Sequence, residues 1–314
     1  MLVIFAASVL LGVTGATYQY LATAKDRRAF SMPGQLVDVG GYEMHIDCAG
    51  QKSPTVVFDS GLGDSYVSWR KVQPQIAQFT RVCSYDRAGI GYSDSSPHHR
   101  SSKDIAEELH RLLQQAAVVP SYILVGHSMG GYDVRVFTSL YPSEVAGVVL
   151  VDASHPEQES RFPPAINDLK ASDLRQEEFL AAIMPFGVPR ILGFCGKDIE
   201  IRAAECNFHS ALESVEELKA FSKSAMQTEA TGSLGNLPLA VLSSDPSMPR
   251  PELPEDLVKP TVDAWQQMQE ELAHLSTRSV RVVAKNSGHY IQIDRPDVVI
   301  EAVRNMVEEI RAAR

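Results

Sequence analysis

An α/β fold is what this 314-residue sequence predicts: a mostly parallel central sheet with helices on both faces, and a helical lid inserted after the sixth strand. Three observations predict it. Short strand-like apolar runs alternate with amphipathic helical stretches, the pattern of parallel strands joined by crossover helices. Residues 145–151 are an unbroken apolar run, as in a strand covered on both faces. Regular alternation then stops at Asp152 and resumes near residue 238, and the helical stretch between reads as a lid over the strand ends, where open α/β sheets bind ligands.

The elements follow in chain order. Residues 2–24 carry no charge and are long enough to span a bilayer, which predicts an uncleaved membrane anchor. A signal peptide is the alternative, because Ala22-Thr23-Ala24 fits an A-x-A cleavage site and cleavage would export the chain. Lys25, Arg27 and Arg28 follow directly and by the positive-inside rule favour a cytoplasmic globular part; the side stays open. Residues 25–35 are expected as a linker. A hairpin around Gly40-Gly41, strands at 55–60 and 81–85, a helix over 102–117, a strand at 122–125 and a helix over 130–141 complete the first half. After the lid (153–236), strands at 238–243 and 279–284 flank a helix around 262–275. A last helix opens with Asp294-Arg295-Pro296 and turns Val298, Val299, Ala302, Val303, Met306 and Ile310 inward. The catalytic domain therefore comprises 36–152 and 237–314.

Composition narrows the function. A formal net charge of −10 excludes a basic stripe for nucleic acid. The four cysteines have no C-x-x-C spacing, so no zinc site is expected. Buried thiols are the default reading of Cys48, Cys83, Cys195 and Cys206, although Cys195 and Cys206 could close a small loop in an oxidising compartment. No glycine-rich phosphate loop or metal-ligand cluster occurs, so no cofactor and no metal are expected.

The chemistry centres on Gly126-His127-Ser128-Met129-Gly130, a G-x-S-x-G corner between a strand and a helix. Such a turn strains the serine backbone and lifts its hydroxyl clear of the sheet, at the positive end of the new helix. A serine hydroxyl needs a neighbouring base. His289, in the loop after the last strand, is the best candidate, whereas the ring of His127 should point away from the nucleophile.

Together with Gly61-Leu62-Gly63, the segment Tyr85-Asp86-Arg87-Ala88-Gly89-Ile90-Gly91-Tyr92-Ser93 and Asn286-Ser287-Gly288-His289, this corner resembles the serine-nucleophile, esterase- and lipase-like branch of the α/β-hydrolase fold superfamily. The resemblance runs from about residue 36 to the C-terminus, with the insert matching only as a generic lid. It implies the order Ser128, acid, His289. It places the acid at Asp245, with Asp152 as the alternative, and implies backbone N–H donors at Leu62 and Met129 for an oxyanion. Tyr66, Trp69, Tyr132 and His155 are candidate pocket residues, with Phe179, Met184, Phe186, Leu192 and Phe194 of the lid. Asp86 and Arg87 are read as an ion pair that pins their own loop.

The function expected is cofactor-independent hydrolysis of small carboxylic esters with an apolar acyl part. A lactone, amide or carbon–carbon bond hydrolase on the same residues is the enzymatic alternative. A non-catalytic small-ligand receptor is the alternative of another class. Epoxide or haloalkane opening fits less well, because those relatives carry Asp where this chain has Ser128.

Overall fold

The computed structural model describes residues 2–313, apart from the side chains of residues 2–4 and 6–8. Helix α1 (Leu2–Ala29) precedes the hairpin β1 (Gln35–Asp38) and β2 (Glu43–Ala49). Strand β3 (Thr55–Asp59), the short α2 (Gln73–Ile76), β4 (Val82–Tyr85), α3 (Ser102–Gln115), β5 (Tyr122–His127), α4 (Gly130–Leu140) and β6 (Val145–Val151) follow. The insertion after β6 is helical: α5 (Gln158–Arg161), α6 (Pro164–Ile183), α7 (Val188–Ile191), α8 (Ile199–Glu205) and α9 (Phe208–Glu229). The chain then returns to the sheet through β7 (Leu239–Ser244), α10 (Glu255–Ala273), β8 (Ser279–Ala284), α11 (Ile291–Asp294) and α12 (Pro296–Ala312).

The eight strands lie in the order β1-β2-β4-β3-β5-β6-β7-β8. Only the hairpin end is antiparallel, through β1–β2 and β2–β4; every other pair is parallel. The predicted α/β class and the helical insertion after the sixth strand are therefore both present. Every residue of β3, β4 and β5 is buried, as expected where helices cover both faces. On one face, Leu109, Leu112 and Leu113 of α3 and Val134 and Phe137 of α4 join a core cluster with Leu124 and Leu150. On the other, Val299, Val303, Met306 and Ile310 of α12 pack with Val125, Val149 and Leu242. The core thus holds the carboxyl ends of β3, β5, β6, β7 and β8 side by side under the insertion.

Two expectations need correction. The segment expected as a linker from residue 25 continues α1 to Ala29. It is held by the insertion and by the loop after β4: Arg27 Nε donates to Ala203 O (3.3 Å) and its Nη2 to Gly91 O (3.2 Å). Nor are the cysteines thiols: Cys48 bonds Cys83, and Cys195 bonds Cys206. The first pair is a consequence of strand order, because β2 lies against β4 with Cys48 directly opposite Cys83. Among the described residues no helix is long and apolar enough to cross a membrane. Side chains at 2–4 and 6–8, part of the anchor expected over 2–24, lie outside the described residues.

Candidate active site

β5 ends in a forced corner. Ser128 has φ 51°, in the left-handed region where a non-glycine residue costs roughly 1–3 kcal/mol. Three backbone hydrogen bonds hold it there: Ser128 N donates to Val151 O (3.2 Å), and Ser128 O accepts from Gly131 N (3.0 Å) and Ser154 N (2.9 Å). The flanking glycines are a steric requirement. A Cβ on Gly126 would stand 2.4 Å from Gly130 O, and one on Gly130 would stand 2.5 Å from Asp59 O. Since α4 starts at Gly130, Ser128 sits at that helix's positive end.

The loop after β8 brings His289 to the same place. Ser128 and His289 line one cavity of about 740 Å³, together with Leu62, Ser154, Leu218 and Trp265. His127 does turn away from the nucleophile, and it has a task there. Its Nε2 donates to His289 O (3.1 Å), and burial beside His289 pushes it down to about 3, so the ring is neutral. A neutral ring with its proton on Nε2 tethers the histidine loop by its backbone and leaves the His289 ring free to face the cavity.

The acid partner is where the structure departs from the expectation. His289 Nδ1 lies 2.7 Å from Asp152 Oδ2, and Asp245 is not its partner. Asp152 Oδ1 accepts from Ser244 N (2.8 Å) and Trp265 Nε1 (3.0 Å). Burial alone would push this carboxyl up; the hydrogen bonds from His289, Ser244 and Trp265 outweigh it and hold Asp152 below its ordinary value. Asp245 instead accepts from Asn286 N (3.0 Å), Ser247 N (2.9 Å) and Ser247 Oγ (2.7 Å). These bonds hold it at about 2 and commit it to shaping its own turn and the start of the histidine loop. Trp265 was missed in the sequence; only its rarity, as one of two tryptophans, marked it.

Leu62 and Met129 flank the corner from two sides, and among the described residues neither backbone N–H donates to a protein acceptor. Leu62 follows β3 and lines the cavity with Ser128, and Met129 stands between Ser128 and the start of α4. The expected Asp86–Arg87 pair does not form. Asp86 bonds His45 Nδ1 (2.7 Å), Tyr66 N (2.7 Å) and Tyr92 N (3.0 Å), while Arg87 reaches Asp59 and, in the lid, Glu217.

None of the four expected pocket residues lines the cavity. Trp69 is fully buried, stacked on Phe58 at 4.4 Å and bonded through Nε1 to Ser60 Oγ, so it belongs to the core. Tyr66 lies edge-on to His45 and gives its hydroxyl to Glu200. Tyr132 is covered by Phe221 and donates to His155 O (2.7 Å). His155 faces Glu271 at 3.6 Å. The lid aromatics fare no better: Phe179, Phe186 and Phe194 are exposed, and so is Leu192. The apolar wall is made instead by Leu174 of α6, Leu218 and Phe221 of α9, and Trp265 of α10. Among the described residues, His155, Glu157 and Glu271 bring three metal-type donor atoms within 4.8 Å of one another, but the Arg161 guanidinium already takes both oxygens of Glu271.

Fold and site together define a hydrolase scaffold with a strained serine corner. A family model described as the alpha/beta hydrolase fold matches residues 54–181. Uncharacterized protein YqjL of Bacillus subtilis is 26% identical over 254 residues, 81% of this chain and 83% of that one. Of two further curated relatives the chain spans 57% and 47% of the length. Haloalkane dehalogenase DbeA from Bradyrhizobium elkani superposes with TM-score 0.70 at 19% identity, over 89% of this chain and 99% of that one. A thermophilic esterase from Thermogutta terrifontis gives 0.60 at 20%, over 88% and 98%. The chain has the α/β-hydrolase fold, and its residues 54–181 match that family.

Proposed function

We propose that this chain is a cofactor-independent serine hydrolase of carboxylic esters. His289 Nε2 takes the proton of Ser128 Oγ as that oxygen attacks the ester carbonyl; Asp152 holds the imidazole tautomer and stabilises its charged form. The N–H groups of Leu62 and Met129 receive the oxyanion. Collapse expels the alcohol with the proton from His289, and water deprotonated by the same imidazole then releases the acid. The observation that carries this reading is the 2.7 Å Asp152–His289 bond, beside a serine held at φ 51° on the same cavity. Serine at the corner favours an acyl-enzyme over the alkyl-enzyme chemistry of relatives with Asp there. A fluorophosphonate probe should label the folded protein at Ser128, and Ser128→Ala should lose both label and p-nitrophenyl ester turnover. No label on Ser128 in folded protein sinks the reading and favours a receptor; turnover of amides or lactones in preference to esters would redirect it.

We infer also that α1 stays attached and holds the enzyme on a lipid bilayer. Its first turns expose Phe5, Val9, Leu10, Leu11 and Val13. Its second half belongs to the lid: Gln19 is buried, with Nε2 donating to Cys206 O (2.9 Å), and Thr23 Oγ1 reaches the same carbonyl. Cleavage after Ala24 would strip both contacts. The two disulfides favour an oxidising side for the catalytic part, against the positive-inside reading, and Arg27 is in any case engaged with the lid. Deleting residues 1–11 should free the protein from membranes with short-ester turnover intact. Deleting 1–24 should in addition lower the melting temperature. Full-length protein found wholly in the soluble fraction refutes the anchoring.

A further inference from the structure

The loop that carries Leu62 is not held by its own strand alone. Arg87 is 2% exposed, and each of its five N–H donors has its own bond. Nη1 gives to Asp59 Oδ1 (3.0 Å) and Ser60 O (2.7 Å). Nη2 gives to Gly61 O (2.6 Å) and Glu217 Oε2 (2.8 Å), and Nε to Glu217 Oε1 (2.6 Å). Glu217 belongs to α9 of the insertion, and its Oε2 also accepts from Gly63 N (2.9 Å). With every donor engaged, Arg87 has none left for a substrate. What it and Glu217 can do is fix two consecutive peptide groups.

Those two groups bracket the N–H that matters. A trans peptide is planar, with its C=O and N–H pointing in opposite directions. Arg87 grips the carbonyl of the Gly61–Leu62 peptide, so the N–H of Leu62 must point away from the guanidinium. Glu217 grips the N–H of the next peptide, at Gly63, and stops the Leu62–Gly63 unit from rotating in compensation. Flipping the Gly61–Leu62 peptide would both withdraw the oxyanion donor and break a buried, charge-assisted hydrogen bond.

We propose that Arg87 and Glu217 are positioning residues that orient the Leu62 N–H for the oxyanion, with the lid supplying the carboxylate that completes the arrangement. The proposal rests on the serine-hydrolase reading. It makes α9 part of the catalytic apparatus without any contact between these two side chains and the reacting atoms.

The test is steady-state turnover of p-nitrophenyl acetate by the full chain and by Glu217→Gln, with melting temperatures alongside. Gln keeps one oxygen but sets an NH₂ against a donor of Arg87 or Gly63. We expect kcat to fall about tenfold to a hundredfold, below the hundred- to thousandfold cost of losing an oxyanion donor outright. KM should stay within about twofold, because the ground-state carbonyl makes little use of that N–H. A double Arg87→Met/Glu217→Met variant removes both charges of that pair and leaves Asp59 with the Tyr85 hydroxyl, and it should show the same fall in kcat. Unchanged kcat in either folded variant, whatever its melting temperature, overturns the positioning role; so does a loss confined to KM. When wild-type protein turns over the ester and labels at Ser128, such a result counts against the positioning role and leaves the hydrolase reading standing. Wild-type protein that does neither overturns both.

Discussion

Two aspartates end neighbouring parallel strands, Asp152 after β6 and Asp245 after β7, and the fold gives them different work. Asp152 collects its donors from three distant places: the Ser244 backbone, the α10 indole and the His289 ring. Asp245 takes two donors from Ser247 in its own turn and one from the Asn286 backbone. The first therefore acts on the imidazole and the second on the chain that delivers it. A carboxylate satisfied by its own turn has little left to offer a ring further off.

The sharpest way to break this comparison is to neutralise each aspartate in turn. Asp152→Asn should lower kcat by about 10³–10⁴-fold, as expected when an imidazole loses the acceptor that fixes its tautomer. Asp245→Asn should leave kcat within about tenfold while lowering the melting temperature. The pH sign follows from the carboxyl's position at about 2: its contribution is in place above the ordinary aspartate value, near 4, and is lost as pH falls towards 2. Melting curves of wild type and Asp245→Asn should therefore converge in acid. If Asp245→Asn is the inactive variant, the assignment of the two roles is reversed.

A smaller effect sharpens the Asp152 side. Trp265→Phe keeps an aromatic wall but removes the Nε1 donor, leaving Asp152 Oδ1 with Ser244 N alone. One hydrogen bond to a charged acceptor is worth about 1.5–3 kcal/mol. Part of it should surface as a kcat lower by roughly tenfold, with the acid limb of the pH–rate profile moved upward. An unshifted profile would mean the indole is only packing.

The smallest expected effect lies in the lid, where a carboxylate meets burial without a cation. Glu205 accepts from Ser65 Oγ (2.7 Å) and Ser65 N (3.3 Å), and burial pushes it up to about 7. A carboxyl raised above its unfolded value loses stability as pH climbs through the folded one. Glu205→Gln should melt a few degrees higher than wild type at pH 8, and the gap should close by pH 4. A gap that widens in acid contradicts the sign.

Much of this was legible in the residues. Alternating apolar runs gave the sheet, and the strand–G-x-S-x-G–helix context gave Ser128. A histidine in the loop after the last strand gave His289. Which aspartate meets His289 was not legible, because Asp152 and Asp245 both sit one residue past a buried strand and differ only in what returns to meet them. Nor was the Cys48–Cys83 bond, since β2 and β4 become neighbours only once the sheet order sets β3 on the far side of β4. The cavity wall was misread for a related reason. Aromatics at 179, 186 and 194 have the composition of a pocket lining, but α6 and the turns that follow it leave them exposed, while Trp265 and Leu218 reach in from segments that looked ordinary.

The insertion's carboxylates also decide how the cavity can breathe. Helix α9 plants Glu213 3.7 Å from the buried Arg100 and Glu217 on Arg87, and α8 sets Glu205 on Ser65. Swinging that side open would pull these groups from their partners at every turnover. Helix α6, which supplies Lys170, Asp173 and Leu174 to the opposite wall, has only two buried residues, Ile166 and Ala181. The cover is thus anchored to the core through α8 and α9, while α6 rests on α9 and ties to it through Glu178 and Lys219.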